Sequence, residues 1–189
     1  MTNGERLDLT GHLLVAGPAL IDPNFSRTVV LVCHHDEHGA LGIVLNRPSD
    51  MAVGEVLPGW VERLSDPPVV FLGGPVQNEV AIGLGRLLEG APVPEPFEDI
   101  GGGVGLVDLG GSPGEAAGTY EALRVYSGYA GWSEGQLELE LATGDWMVTP
   151  AVPSDPFTAD PERLRRSVLR RAGGPLAWYA DYPVDPGLN

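Results

Sequence analysis

No lysine occurs anywhere in the 189 residues; all eleven cations are arginine. That absence removes Schiff-base chemistry, Ser–Lys dyads and phosphate-binding loops built on Lys. A single cysteine, Cys33, excludes an internal disulfide and points to a reducing, intracellular setting. No run approaches the roughly 20 apolar residues that a membrane helix needs. The apolar stretch Leu13 to Ile21 is interrupted by Pro18, and Glu5 and Asp8 stand upstream, where a signal peptide carries positive charge. A cytoplasmic protein is the expectation. Positive charge is scarce as well: 26 acidic residues against 11 basic ones give −15, which repels nucleic acid and anionic membranes unless the cations cluster.

What is present is a globular composition of one-domain size. Hydrophobic residues make up 43%, and 27 Gly with 18 Pro, in no repeating period, predict many turns and short elements. His12 to Ala16 reads as a first strand, Thr28 to His34 as a second and Leu41 to Leu45 as a third. The polar connection Asp36-Glu37-His38-Gly39 makes the last two an antiparallel hairpin. The continuous run Val29 to Val32 predicts a strand covered on both faces. Ser49 or Asp50 is expected to cap a short helix bearing Val53, Val56 and Leu57. Val69 to Leu72, Val80 to Leu84, Val104 to Leu109, Leu123 to Tyr129 and Trp146 to Thr149 read as strands, with loose segments at 89–103 and 110–118. Ser133 with Gln136 forms a capping box for a helix that Gly144 ends. Asp160-Pro161-Glu162 opens another, with Leu164, Val168 and Leu169 as its apolar stripe and Gly173-Gly174-Pro175 as its stop. Strands outnumber helices and several pair locally, so the fold class is α+β with a mixed sheet.

Several constellations invite chemistry. Cys33-His34-His35-Asp36-Glu37-His38 gathers a thiol, three of the four His and two acids. Strand alternation puts Cys33 and His35 on one face and His34 on the other, so a buried Cys beside a solvated loop is favoured over a metal site or a Cys–His nucleophile. Gly110-Gly111-Ser112-Pro113-Gly114 has the letters of a nucleophile elbow. The elbow needs a backbone N–H directly after the Ser, and Pro113 has none. Gly101-Gly102-Gly103-Val104-Gly105 lacks the strand–glycine–helix context of a dinucleotide loop and reads as a link. Arg163, Arg165, Arg166, Arg170 and Arg171 stand against Asp160 and Glu162, a local +3 in a chain of −15. They could touch phosphate, but pairing with the protein's own acids or with the helix C-terminus is favoured.

Four stretches taken together carry a resemblance. They are Gly11 to Ala16 with Pro18-Ala19 and Asp22-Pro23-Asn24-Phe25; Cys33-His34-His35 through Gly39 to Pro48; Gly73-Gly74-Pro75-Val76; and Gly128-Tyr129-Ala130-Gly131-Trp132 through Gly135-Gln136-Leu137-Glu138 to Trp146. In this order, over residues 10 to 172, the chain resembles the AlgH/YqgE family of bacterial proteins. The resemblance implies one compact α+β domain over residues 1–189, with 173–189 as a tail, and a mixed, partly barrel-like sheet with a few flanking helices. It implies a cytosolic bacterial protein and brings a historical label as a transcriptional regulator, but no reaction. The chain departs from the family pattern at His34, where the family commonly has Glu, and at Gln77-Asn78-Glu79 after the G-G-P bend.

No complete catalytic set is present, and neither a metal nor a cofactor is expected. The first reading is a non-enzymatic regulatory or binding protein that works through protein contacts or a small anionic ligand. Its ligand residues are expected among His35, Asn46, Gly73, Gly74, Tyr129, Trp132 and Ser133. Gly73-Gly74-Pro75 would bare backbone N–H groups after a buried strand, and Ser133 sits at a helix start. A second reading is an unrecognised enzyme where His35, Asn46, the Gly73–Pro75 bend and Tyr129–Trp132 converge. A third is DNA binding through the Arg163–Arg171 helix.

Overall fold

Glu37-His38 forms the tip of the expected hairpin, joining Val29–Asp36 (β2) to Gly39–Val44 (β3) in an antiparallel pair. The computed structural model that shows this describes residues 7–110 and 118–181. The Ser112 segment of the elbow-like motif, and most of the loose stretch at 110–118, therefore lie outside the described residues.

The hairpin is the centre of a ten-stranded sheet. His12–Ala16 (β1) pairs with β2 on one side and with Trp146–Pro150 (β10) on the other. Tyr120–Ser133 (β9) pairs with β3 through its last residues and with Val76–Leu87 (β6) through the rest. Val104–Val107 (β8) and Phe97–Gly101 (β7) extend the sheet beyond β6. Val69–Leu72 (β5) joins β9 as the parallel pair, and Pro48–Ala52 (β4) adds antiparallel to β5. The sheet is mixed and curled into a half-barrel, and the fold is α+β.

Both faces of β2 are covered, as its unbroken apolar run requires. Leu13, Val15, Val29 and Leu31 face Leu164, Val168 and Leu169 of the helix Pro161–Ala172 (α3). Leu14, Ala16, Val30 and Val32 face Trp132, Trp146 and Leu137 of the helix Gln136–Thr143 (α2). The alternation of one strand thus feeds two cores. The start of α3 is as expected: Asp160 caps it by accepting from the Arg163 N–H, Pro161 takes the first position, and the three stripe residues are buried. Among the described residues no helix is long and apolar enough to cross a membrane.

Several local expectations give way to tertiary pairing. Ser49 caps nothing; its hydroxyl donates to the Val70 carbonyl while β4 pairs with β5. The helix that follows is a single turn, Val53–Val56 (α1), with Ala52 at its N-cap. β6 begins at Val76 instead of Val80, and β9 spans Tyr120–Ser133 because sheet partners fix polar residues that propensity alone leaves open. Within the expected loop at 89–103, Phe97–Gly101 is a strand, and Gly102-Gly103, both at positive φ, turn it into β8. The capping box is half formed. The Gln136 side chain accepts from the Ser133 N–H, but the Ser133 hydroxyl donates to that same oxygen, and Gly135 is the N-cap. After Ala172 a further short helix, Gly174–Trp178 (α4), follows the expected stop.

Candidate functional site

The polar cleft is built where the end of β3 meets the first half of α3. Asn46 stands two residues beyond the end of β3, after the buried Leu45. Its side-chain oxygen accepts from the Val29 N–H at 2.9 Å, and its amide donates to the Arg27 carbonyl at 3.1 Å. These bonds pin residues 27–29 beside the strand end and place Arg27, at φ 61°, on the cleft wall. The next residue, Arg47, donates through Nη2 to the carbonyls of Pro23 at 2.8 Å and Ser26 at 3.2 Å. Partial burial lowers the Arg47 pKa against the opposing field of Asp22.

α3 supplies the opposite wall. Arg165 is 6% exposed and donates to the carbonyls of Tyr179 at 3.2 Å and Ala16 at 3.3 Å. Its Nε is buried without a hydrogen-bond partner among the described residues. Burial, with the charge of Arg27 adding to it, pushes the Arg165 pKa down to about 10. Arg163 pairs with Asp160 at 3.3 Å, and Arg166 with Asp181 at 2.6 Å. Arg27, Arg47, Arg163, Arg165 and Arg166, with Glu162, surround a cleft of about 360 Å³. Arg47 also borders a neighbouring hollow of about 240 Å³ that Asn24, Gly74, Pro75 and Asn78 help to line.

The seven expected ligand residues do not converge. Asn46 lines the arginine cleft, and Gly74 lies in the hollow beside it. His35, Trp132 and Ser133 sit at the other end of the hairpin, around Gly39-Ala40. Five residues, Leu41 to Leu45, lie between Ala40 and Asn46, so about 20 Å of extended chain separates the two. The Gly73 N–H donates to the Ser127 carbonyl at 2.8 Å, so the bend does not offer it to an anion. Gly74, at φ 155°, is needed for close packing, because a Cβ there would meet the Tyr129 backbone. Tyr129 belongs to that contact.

His35 is nearly buried, and its Nδ1 accepts from the Leu9 N–H at 3.2 Å. An accepting Nδ1 puts the ring proton on Nε2, which donates to Glu138 at 3.1 Å. Here strict alternation fails. The pairing shifts between Val32 and His34, a one-residue bulge at Cys33. The bulge reverses the phase, so Cys33 faces the α3 core while His35 turns to α2. Cys33 is buried, and burial raises its thiol pKa. No group of three or more His, Cys, Asp and Glu among the described residues could hold a metal ion.

The remaining cations of α3 turn away from the cleft. Arg171 grips Asp155 with two bonds of 2.8 and 2.7 Å, and Arg170 donates to Asp181 at 3.1 Å. Arg170, then Arg166, hold the Asp181 pKa below its ordinary value. All five α3 arginines thus bond to groups of the protein itself. Sequence reading missed Arg27 and Arg47 as cleft residues. Asn46-Arg47 was in view as part of the strand-end motif, but nothing local joins it to residues 163–166. It also missed Glu140, whose Oε2 accepts both indole N–H groups, Trp132 and Trp146, at 2.8 Å each.

Comparison with known proteins places this architecture. The AlgH-like family model matches residues 13–177. A "UPF0301 protein" of Streptomyces avermitilis is 50% identical over 98% of this chain and 97% of its own length. One from Thermobifida fusca is 46% identical over 98% of both chains. A crystal structure from Corynebacterium diphtheriae superposes with a TM-score of 0.87 at 32% identity, covering 96% of this chain and 95% of that one. The solution structure of the AlgH protein from Pseudomonas aeruginosa gives 0.71 at 29% identity, covering 98% of this chain and all of the other.

Proposed function

The chain belongs to the AlgH-like family, and from that premise we propose that it is a non-enzymatic binding protein that takes a small anionic ligand in the arginine cleft. One observation carries the reading. Arg165 is buried and bonded to carbonyls and, among the described residues, to no carboxylate, with Nε left over. Carbonyl oxygens satisfy N–H groups without neutralising a cation. A buried charge of this kind is costly, and an apolar side chain of similar volume would stabilise the fold better. A bound anion supplies the missing counter-charge.

The rest of the cleft agrees. Five of the eleven arginines stand around it in a chain of −15. Against the overall negative field, this cluster of guanidiniums is a local patch of positive potential, which the low-dielectric walls concentrate. The exposed pairs Arg163–Asp160 and Arg166–Asp181 are worth little individually and can exchange partners when a ligand enters. Catalysis at the His35 end and duplex DNA binding through α3 are not part of this reading. Their residues are separated, or bonded to the protein's own groups.

The test is a thermal-shift titration with citrate, sulfate and phosphate at constant ionic strength in chloride. A saturable rise in the midpoint is expected for the native chain, since a ligand at a hundredfold excess over Kd adds about 2.7 kcal/mol. The rise should vanish in Arg165→Met and shrink in Arg163→Ala. No saturable shift with any of the three anions refutes the proposal.

A further inference from the structure

We propose that the groove between α1 and β6 docks another protein, through a segment that offers large apolar side chains flanked by Lys or Arg. The groove stands apart from the arginine cleft and shares none of its lining residues.

Its shape comes from one irregular strand. β6 pairs with β9 at Val76↔Tyr129 and again at Ala81↔Ser127, so four residues of β6, 77–80, stand against Gly128 alone. The surplus chain bows off the sheet. Gln77, at φ 50°, turns into the bow, and the Ser127 hydroxyl holds it by donating to the Asn78 carbonyl. Irregular pairing of this kind re-aims side chains. Here it brings Val80 to the same hollow as Met51 of β4 and Val56 and Leu57 at the end of α1, over the buried Val70 and Tyr126. The hollow holds about 290 Å³, the space of about ten waters.

The apolar rim faces solvent. Met51 is 50% exposed, Val56 49% and Val80 40%. Val61, 46% exposed, continues the rim along α1, where a Cβ on Gly54 would lie 3.3 Å from its Cγ1. Exposed apolar side chains scattered singly are ordinary, but a contiguous set around a hollow marks an interaction site.

Charge indicates what covers it. Asp50, Glu55, Glu62 and Glu79 each stand next in the chain to one of these rim residues, and Glu79 also lines the hollow. All four are exposed, and none makes an ion pair or a side-chain hydrogen bond among the described residues. Within residues 48–64 and 76–82 the only cation is Arg63. Unpaired carboxylates around an apolar hollow suit a cationic partner, because they steer its approach and repel acidic competitors. The chain's own remaining segments do not supply that chemistry. Residues 1–6 carry one acid and one Arg, and 111–117 and 182–189 carry one acid each and no cation. A second copy would bring a further −15 and the same acidic rim.

Fluorescence anisotropy on the full chain, with three short labelled synthetic peptides, tests the proposal. One sets Leu and Lys in amphipathic spacing, one replaces its Lys with Glu, and one replaces its Leu with Ser. Only the Leu/Lys peptide is expected to bind saturably. Met51→Ser combined with Val80→Ser should weaken it about tenfold or more, through lost apolar burial. Asp50→Asn combined with Glu79→Gln should weaken it severalfold at low salt and less at high salt. All four positions are exposed, so the fold should survive, and circular dichroism checks that it does. The Ser/Lys peptide binding as tightly reduces the effect to charge attraction and overturns the groove. The Leu/Glu peptide binding as tightly overturns the role of the acidic rim. No binding of the Leu/Lys peptide, or unchanged affinity in the Met51/Val80 variant, overturns the docking surface. A concentration-dependent dimer in light scattering that the Met51/Val80 variant breaks assigns the groove to a second copy and overturns the cationic partner.

Discussion

Replacing Glu140 with Ala should destabilise this protein far more than its half-exposed position on α2 suggests. Its Oε2 accepts both indole N–H groups, and its Oε1 accepts the Gln136 amide at 2.9 Å. Trp132 and Trp146 are 6% and 4% exposed, with ring centroids 6.0 Å apart at 75°, and Phe25 packs its edge on Trp146 at 5.7 Å. Truncation strands two N–H groups in that aromatic cluster. A buried unsatisfied donor costs about 1–3 kcal/mol. Water can reach the Glu140 side, so the low end applies to each, and the total is about 2–3 kcal/mol. At about 2–4 °C per kcal/mol for a chain of this length, Tm should fall by about 5–10 °C. Tryptophan fluorescence during urea unfolding reads the same cluster directly. Trp132→Phe removes one donor, so Glu140→Ala in that background should cost about 1 kcal/mol less, measured as a double-mutant cycle. Leu139→Ala, 65% exposed on the same helix, should stay within about 0.5 kcal/mol of the native chain. If Glu140→Ala does so too, the reasoning fails.

Two other outcomes follow from the α3 side. Asp155 is 5% exposed and holds both Nη atoms of Arg171 as well as the Val152 N–H, so Asp155→Ala should lower stability by about 3 kcal/mol in urea unfolding, and a loss below about 1 kcal/mol contradicts the buried pair. Asp181 has a folded pKa below its ordinary 3.8, so its ion pairs contribute fully above that value and are lost as pH falls through the lower folded pKa; a carboxyl NMR titration should place its midpoint below 3.8, Arg170→Ala should move it upward, and a native midpoint at or above 3.8 refutes the pairing.

Features determined within a few residues were legible in the chain. β1, β5 and the β2–β3 hairpin, the Asp160-Pro161 start of α3 and its stripe of Leu164, Val168 and Leu169 all follow from period, cap and turn. Four ordered stretches were enough to carry the family resemblance. Local pattern did less well where pairing overrides it. The bulge at Cys33 adds one residue against β3 and turns His35 to the opposite core, which no alternation rule reveals. Ser49 resembles a helix cap until β5 offers the Val70 carbonyl.

The arginine cleft belongs wholly to the tertiary structure. Arg27 and Arg47 reach it through the Asn46 bonds, and Arg163, Arg165 and Arg166 arrive more than a hundred residues later when α3 packs across β1 and β2. Arg124 makes the same point in the core, where its guanidinium lies 4.3 Å over the Phe71 ring. The chain by itself determined that eleven arginines must serve a strongly acidic molecule, and where β1, β5 and α3 begin. Packing alone decided which of those charges share one site, because like charges repel and come together only where the surrounding fold holds them.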